Sequence, residues 1–256
     1  MAKKETEKFL SSNIFEGMTS ISALIKSIRS GNNDREISKI LFDSSKVKSK
    51  HAEYSFLKAV SREIGFELSL VDPQEISELS VGNTHGGIIA ICGDRIIQNL
   101  SLDKIKDNGI YFMLEGAEDP YNFGNAIRSI YAAGADGVIL PKRNAMVSAG
   151  IVCRSSAGAS EMLPIICGDE VEIVKALKQV GYRLVCANMD APAPAHLSNL
   201  KKPLILAVGG EKRGFSKALT ELSDLTVRLD YGRDFPMALS AASASAILAF
   251  EVTKQN

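Results

Sequence analysis

A segment that joins a predicted strand to a predicted helix carries residues suited to binding a phosphate or a nucleotide. It spans 115–128 and reads EGAEDPYNFGNAIR. The proline after Asp119 favours an extended or turn conformation at Asp119. Asn122 is expected to cap the helix. Gly124 permits a close approach of the backbone. The pattern therefore indicates a shaped loop whose helix carries Arg128 in its second turn.

We expect Arg128 to face inward, with its guanidinium near the strand ends, because its neighbours Ile127 and Ile130 are apolar. A planar fork of donors suits a nucleotide phosphate. A structural ion pair with Asp119 or Glu115 explains the same arginine equally well. Both interpretations stay open at this point.

A second segment, 207–216, reads AVGGEKRGFS, follows an apolar strand and opens a helix. Its glycines expose backbone amides and carbonyls to a ligand. The spacing matches neither the G-x-G-x-x-G fingerprint nor the Walker pattern with Gly-Lys-Ser/Thr. The sequence thus argues against a dinucleotide-binding dehydrogenase and a P-loop nucleotidase.

A third segment, 234–251, reads DFPMALSAASASAILAFE. The many Ala and Ser residues predict a helix, at 238–253, against which another backbone packs closely. Ordinary tight helix packing explains most of these serines. Ser240, nearest the start of the helix, is the one that we keep as a candidate site residue.

The elements that must position these segments form an α/β pattern in two halves. In the first half, helices are predicted at 14–29, at 52–64 and after Pro73, and apolar or strand-like segments at 37–42, 67–71 and 87–92. This alternation is typical of a small α/β sandwich. Polarity rises over 94–108, which predicts a domain at 1–100 and another at 101–256.

The second half alternates more strongly. Strands are predicted at 109–115, 137–140, 162–166, 183–187, 203–208 and 225–229, and further helices at 122–133, 148–154, 170–180 and 216–222. Runs such as 204–208 look buried on both sides, which favours a mostly parallel sheet with helices on both faces. Ligands of such sheets bind beyond the carboxyl ends of the strands.

The composition restricts the class of protein. With 30 basic and 30 acidic residues, the net charge of zero does not demand a nucleic-acid partner. Four well-separated cysteines indicate neither a zinc site nor a secreted disulfide framework, so we expect no metal and a reduced, cytoplasmic protein. No apolar run reaches the roughly 18 residues of a membrane helix, so we expect no membrane partner.

Together, the three segments resemble the three motifs of the SpoU (TrmH) family of RNA 2′-O-ribose methyltransferases, within the SPOUT superfamily. The first motif is matched by the Asp-Pro, Asn-x-Gly and Arg of 119–128, and the second by the Gly-x-Glu-x-x-Gly of 209–214. The stretch RSSAGAS at 154–160 is similar to the family's serine- and glycine-rich segment. In the first half, Glu16-Gly17 and THGG at 84–87 resemble a ribosomal-protein-like RNA-binding domain.

The third motif departs from the family pattern. The family reads Ser-Leu-Asn-Val-Ser, whereas 238–242 here reads Ala-Leu-Ser-Ala-Ala. A hydroxyl in place of the asparagine amide makes fewer hydrogen bonds. An RNA-binding protein that retains the fold without catalysis is therefore an alternative to an active enzyme, and a small-molecule methyltransferase is a third interpretation.

The resemblance implies a trefoil-knotted C-terminal domain that binds S-adenosylmethionine and transfers its methyl group to a ribose 2′-hydroxyl of ribosomal or transfer RNA. It also implies a homodimer through the knotted domain. The implied catalytic residues are Arg128, Asn122, Glu211 and Ser240. The implied cofactor-binding residues are Ala207, Val208, Gly209, Gly210, Glu211, Leu229 and Leu239. Two groups of basic residues are expected to contact RNA. The first is Lys46, Lys48 and Lys50, which could equally be ordinary solvated lysines of a loop. The second, expected to flank the cofactor pocket, is Arg143, Arg154, Lys212 and Arg213.

Overall fold

The computed structural model describes residues 13–31, 33–95, 97, 99–115, 119–141, 148–210 and 214–256. The chain divides into two compact units. Within the described residues, unit 1 comprises 13–95 together with 148–162, and unit 2 comprises the remainder of 97–256. A segment from the second half of the chain therefore belongs to the first unit.

Unit 1 contains a four-stranded sheet with the order β1-β4-β2-β3, in which β2 and β3 are parallel and the other two pairings are antiparallel. Its strands are β1 (Ile14–Glu16), β2 (Ile37–Asp43), β3 (Glu67–Val71) and β4 (Ile88–Cys92). Its helices are α1 (Gly17–Arg29), α2 (His51–Ile64), α3 (Pro73–Leu79), α5 (Ala149–Ser155) and α6 (Ala159–Met162).

The core of unit 1 lies on both sides of this sheet. The larger apolar cluster combines Phe15, Leu24 and Phe42 with Leu57 of α2. A smaller cluster on the alternate strand residues includes Ile76 of α3. The helix predicted from Ile14 is wrong at its start, because residues 14–16 pair with β4 as a strand and the helix begins at Gly17, whose φ is +80°.

Residues 148–162 are fixed in unit 1 by a buried ion pair. Glu161 has no exposed surface and accepts hydrogen bonds from Arg35 Nε at 3.1 Å and Asn33 Nδ2 at 2.6 Å. Gly150 lies against β1 so closely that a Cβ there would stand 1.9 Å from the carbonyl oxygen of Ile14. The predicted division at residue 100 thus omitted this excursion, since helical periodicity does not tell which unit a helix packs on.

Unit 2 contains a seven-stranded sheet with the order β7-β6-β5-β10-β8-β11-β9. Its strands are β5 (Ile110–Leu114), β6 (Gly137–Pro141), β7 (Ile165–Gly168), β8 (Arg183–Ala187), β9 (Ala193–Pro194), β10 (Leu204–Val208) and β11 (Leu225–Arg228). Every pairing between these strands is parallel, which confirms the predicted mostly parallel sheet.

Four helices of unit 2 cover this sheet: α4 (Pro120–Ala132), α7 (Glu170–Gln179), α8 (Lys217–Leu222) and α9 (Ala241–Lys254). Helices α7 and α8 share an apolar cluster with Tyr111 and Met113 of β5. The alternate residues of β5 are equally buried, and α9 packs against β10 and α4. Because strand side chains alternate between faces, the two pairs of helices cover opposite faces. None of the helices in the described ranges is long and apolar enough to cross a membrane.

Candidate functional site

A cavity of about 400 Å³ opens in unit 2 beyond the carboxyl ends of β8, β10 and β11. This is where ligands of parallel sheets bind. Four separate segments of the chain line it. They contribute Ala187, Asn188, Met189 and Asp190; Val208, Gly209, Gly210, Gly214, Phe215 and Thr220; Val227, Arg228, Leu229 and Tyr231; and Ala238, Leu239, Ala241, Ala244 and Leu248.

The second motif reaches the cavity because β10 lies at the centre of the sheet. This strand is fully buried between β5 and β8, and the chain leaves it at Gly209. The ring of Phe215 lies beside Gly209. A Cβ atom added at Gly209 would lie 3.6 Å from the Cζ atom of that ring, which is already van der Waals contact. The backbone amides and carbonyls there are therefore accessible without a side chain in front of them.

The third motif forms the opposite wall through the start of α9. Ser240 is the N-cap: its Oγ accepts a hydrogen bond from the backbone N–H of Ser243 at 3.2 Å and donates one to Ser243 Oγ at 3.1 Å. The helix therefore begins at Ala241, three residues later than predicted. Ala241, Ala244 and Leu248 face the cavity at helical spacing. On this face of α9, the small residues leave room for a ligand. They do so in addition to allowing the close backbone packing that the sequence predicts.

The rim of the cavity is held by an arginine clamp. Arg228 Nη1 donates hydrogen bonds to the carbonyls of Ala191 at 2.9 Å and Pro192 at 2.5 Å, and its Nε pairs with Asp230 at 2.9 Å. These contacts fix the loop after β8, which contributes Asp190 to the cavity wall. Asp190 and Arg228 are the acidic and the basic residue among the described lining residues.

The first motif forms the beginning of α4. Asp119 is the N-cap, and its Oδ2 accepts a hydrogen bond from the backbone N–H of Asn122 at 2.9 Å. The expectation that Asn122 caps this helix is therefore wrong. Pro120 occupies the first helical position, where its missing N–H has no consequence, so the helix begins two residues earlier than predicted. The half-buried Asn122 side chain stays at the first turn of the helix.

Arg128 is exposed, and the expectation that it faces inward is wrong. The buried stripe of α4 runs through Phe123, Ala126, Ile127 and Ile130, and residue 128 lies about 100° around the helix from residue 127. No described carboxylate forms an ion pair with it, so the alternative pairing with Asp119 is not observed. The guanidinium is not among the groups that line the cavity of its own chain.

Five of the seven predicted cofactor-binding residues line the cavity: Val208, Gly209, Gly210, Leu229 and Leu239. Ala207 is buried within the β10 ladder, between Met113 and Cys186, and does not reach the cavity. The predicted residues Glu211, Lys212, Arg213 and Arg143 lie outside the described residues.

The remaining predicted RNA-contacting residues belong to unit 1. Lys46 pairs with the buried Asp43 at 3.5 Å, and Lys50 Nζ lies beside Gly86. Lys48 is exposed. Arg154 Nη1 pairs with the buried Glu16 at 2.6 Å. Arg154 thus has a structural partner, and the three lysines present charge at the turn before α2.

The described part of the chain contains no cluster of three or more side chains suited to a metal ion. The four cysteines are free thiols. Burial raises the pKa of Cys92 to about 12, although the charge of Arg35 opposes this, and burial raises the pKa of Cys153 and Cys186 as well. Buried thiols of this kind are unreactive at neutral pH.

Several residues of the cavity wall, above all those after β8, are not among the predicted site residues. Asn188, Asp190 and Tyr231 all line the cavity. A usable signal existed, because the predicted strand at 183–187 ends immediately before Asn188, and ligands collect beyond the ends of such strands. The contribution of Tyr231 has no comparable signal, since it depends on the path of the connection to α9.

Curated relatives resemble most of the chain. The 23S rRNA (guanosine-2′-O-)-methyltransferase RlmB of Shewanella oneidensis is 26% identical over 200 residues, which cover 76% of this chain and 81% of that protein. The protein of the same name from Pseudomonas aeruginosa is 28% identical over 196 residues, covering 72% and 76%.

Solved structures agree in fold. The SpoU methyltransferase AviRb from Streptomyces viridochromogenes, in complex with the cofactor AdoMet, matches with a TM-score of 0.79 at 22% identity and covers 100% of this chain and 98% of that chain. An RNA 2′-O ribose methyltransferase matches with a TM-score of 0.78 at 24% identity over 98% and 95%. The sequence model of the SpoU rRNA Methylase family matches residues 109–250, more than half of the chain, and the chain therefore belongs to that family.

Proposed function

We propose that the chain transfers a methyl group from S-adenosylmethionine to a ribose 2′-hydroxyl in structured RNA. The observation that carries the proposal is the cavity whose walls combine residues of the second and third motifs. Membership of the SpoU family supports it. Because the relatives are named as 23S rRNA methyltransferases, ribosomal RNA is the first substrate to test, and transfer RNA is the second.

The cavity suits S-adenosylmethionine in size and chemistry. Its volume of about 400 Å³ lies within the range of about 300–1,000 Å³ for small-molecule sites. Backbone groups at Gly209, Gly210, Leu229 and Leu239 would hold the adenosine and methionine parts. The side chains of Val208 and Leu248 offer an apolar surface for the adenine ring. Of the predicted set, Ala207 is the least available, since its backbone groups face neighbouring strands.

Bound S-adenosylmethionine supplies an electrophilic methyl group. The chain must then hold a ribose 2′-oxygen in line with that group and provide a route for the hydroxyl proton. Arg128 is suited to orienting the target phosphate because a guanidinium stays protonated and donates in a planar fork. Its second proposed role is to assist deprotonation by stabilising the negative charge that develops on the 2′-oxygen, while the proton itself leaves to solvent. Asn122 shapes the part of the site that holds this phosphate, and Glu211 anchors the loop after β10 or a substrate group.

Ser240 acts in this proposal by positioning. Its hydroxyl is engaged by Ser243, so it fixes where α9 begins and thereby where Leu239 and Ala241 meet the cavity. The asparagine of the family pattern is not needed for this cap, since serine and asparagine cap helices about equally well.

A homodimer completes the proposed active site. Arg128 does not line the cavity of its own chain, and α4 and α9 together expose large apolar side chains at Tyr121, Tyr131, Ile247 and Phe250. Contact of these helices with a second copy around a two-fold axis would bury those side chains. It would also allow the arginine of one copy to reach the cavity of the other.

The fold proposal includes a trefoil knot made by the C-terminal segment. It is supported by the order of the sheet, where the late strand β10 lies between β5 and β8. Unit 1 is proposed to bind the RNA. Its lysines Lys46, Lys48 and Lys50 would meet phosphates, as would Arg143, Lys212 and Arg213. Affinity should then fall steeply with added salt. The four free thiols support a cytoplasmic location.

The test is transfer of labelled methyl groups from S-adenosylmethionine to ribosomal and transfer RNA lacking the modification. Arg128→Ala should lose most turnover and retain cofactor binding. Ala244→Leu should fill the cavity and abolish cofactor binding, whereas Ala218→Leu, an exposed position of α8, is its matched control. Cofactor binding without transfer to any RNA would reject the enzyme and favour a non-catalytic RNA-binding protein.

Mixing two inactive variants tests the dimer. If Arg128 serves the partner's cavity, equal amounts of Arg128→Ala and Ala244→Leu form heterodimers with one intact site, which restores about one quarter of wild-type activity. An arginine that serves its own chain leaves no intact site in the mixture. Absence of any recovery in mixed dimers, verified by co-purification of the untagged variant with an affinity-tagged one, would contradict the shared site.

A further inference from the structure

Two aromatic rings lie in the connection between β11 and α9, at the mouth of the cavity. The rings of Tyr231 and Phe235 are 6.3 Å apart between centroids and are inclined at 47°. Tyr231 lines the cavity, whereas the side chain of Phe235 is 52% exposed. The pair thus extends from the proposed cofactor site to the surface of the molecule.

The position of this pair is fixed relative to the cavity. The Tyr231 hydroxyl accepts a hydrogen bond from the backbone N–H of Leu239 at 3.2 Å, and Leu239 is itself a lining residue. Pro236, immediately after the exposed ring, restricts the backbone there. A large apolar ring held at the surface in this way is suited to stacking on a flat partner.

The chemistry of the site specifies that partner. A ribose 2′-oxygen in the reactive position must lie about 3–3.5 Å from the donor methyl carbon. The base attached to the same ribose would then lie just outside the cavity, and the Phe235 ring is an exposed aromatic surface beside the lining residue Tyr231. Arg233 is also exposed and forms no ion pair with a described residue, so its charge is available to a phosphate.

We propose that the Tyr231–Phe235 pair is the platform on which the base of the target nucleotide stacks. This inference rests on the proposed function and assigns a substrate-binding role to two residues outside the three motifs. Stacking on an aromatic ring is tolerant of base identity. The platform therefore supplies affinity and orientation for the target nucleotide, and the choice of base comes from other contacts.

Fluorescence tests the platform independently of catalysis. The chain contains no tryptophan, so Phe235→Trp introduces a single tryptophan at the proposed site, which can be excited selectively beside the tyrosines. Its emission should be quenched by unmodified ribosomal RNA in the presence of S-adenosylhomocysteine. The matched control is Val180→Trp, which has a similar exposure of 47% but lies after α7, at the end of the sheet opposite the cavity. Its emission should not change.

Kinetics give the second measurement. Loss of a stacked base contact corresponds to about a 5- to 150-fold loss of affinity, so Phe235→Ala should raise KM for the RNA by a factor in that range. Phe235→Tyr should restore the wild-type KM, and cofactor affinity should be unchanged in both variants.

The outcomes separate the platform from its alternatives. An unchanged KM in Phe235→Ala, or no quenching in Phe235→Trp, would overturn the inference. If the emission of Phe235→Trp changes with protein concentration but not with added RNA, the platform is rejected and the ring is assigned to a contact between copies of the chain. If RNA quenches the emission although wild-type protein transfers no methyl group, the proposed function fails while the RNA platform stands.

Discussion

The arginine clamp at the cavity rim gives the sharpest prediction. Arg228 holds the carbonyls of Ala191 and Pro192 and pairs with Asp230. Replacing it with alanine removes all three contacts and leaves the loop held by the pairing of β9 with β11 and by backbone hydrogen bonds such as that from the N–H of Asn188 to the carbonyl of Val227. The cofactor would then have to order the loop as it binds, and its affinity should fall.

The size of this effect follows from the contacts. A hydrogen bond from a charged group contributes about 1.5–3 kcal/mol, and partial exposure of this side chain favours the lower end. The ion pair adds less than about 1 kcal/mol. The loop would thus lose about 3 kcal/mol of stabilisation. Because the pairing through β9 still holds part of the loop, only part of this loss should appear in the cofactor affinity. Since each 1.4 kcal/mol is a factor of about ten, the cofactor Kd should rise about 10- to 100-fold.

Calorimetric titration with S-adenosylmethionine measures this directly. Arg228→Lys should give an intermediate Kd, because a single ammonium cannot reproduce the fork. The matched control is Arg183→Ala: Arg183 donates to the carbonyl of Lys201 at 2.9 Å, at the amino end of β8 and away from the cavity. At saturating cofactor, kcat of Arg228→Ala should stay within about twofold of wild type. Equal Kd values for Arg228→Ala and Arg183→Ala would refute the clamp.

Three further predictions concern stability and reactivity. Gly150→Ala places a methyl group against the Ile14 carbonyl and should cost about 1–3 kcal/mol in urea unfolding; an unchanged midpoint would contradict that close contact. Burial raises the pKa of Asp43, but hydrogen bonds from Ser45 and the nearby charge of Lys46 together outweigh burial and leave the pKa below its usual value. The charged Asp43 carboxylate therefore stabilises the fold at neutral pH, and this stabilisation is lost as the pH falls through the pKa of the folded state. The loss of unfolding free energy in Asp43→Asn should thus be smaller at about pH 3 than at about pH 7. The same loss at both pH values would contradict the lowered pKa. Cys167, the one partly exposed cysteine, should react with Ellman's reagent in the native protein, and the three buried thiols only on unfolding; four equally fast thiols would show the burial to be wrong.

Most elements of unit 2 could be predicted from the sequence because they combine a clear pattern with local signals. The run 204–208 is apolar on both faces, and β10 is indeed buried on both. Asp169 accepts hydrogen bonds from the N–H groups of residues 171 and 172, which fixes the predicted start of α7 at residue 170. Strands as short as β1 and β9 have no such signal, because their pairing depends on distant partners.

Orientation and domain membership were harder to predict. The inward orientation expected for Arg128 rests on its apolar neighbours, but only positions three and four residues apart share a helical face. The assignment of 148–162 to unit 1 depends on Glu161, whose partner Arg35 is 126 residues away. Breaking a buried pair of this kind costs several kcal/mol. Because the two partners of this contact are so far apart in the sequence, no local sequence pattern predicts it.

The assignment of residues 148–162 to unit 1 changes how the proposed RNA-binding role of unit 1 has to be tested. Removing residues 1–100 would leave α5 and α6 without the sheet against which they pack, and would expose Ala149, Cys153 and Glu161. Loss of RNA affinity in that truncation would then report misfolding as readily as a missing RNA surface. Charge reversal at Lys48, which is exposed and forms no ion pair with a described residue, tests the same role without disturbing this core. A weakened salt dependence in Lys48→Glu with unchanged unfolding is the result that assigns RNA contact to unit 1.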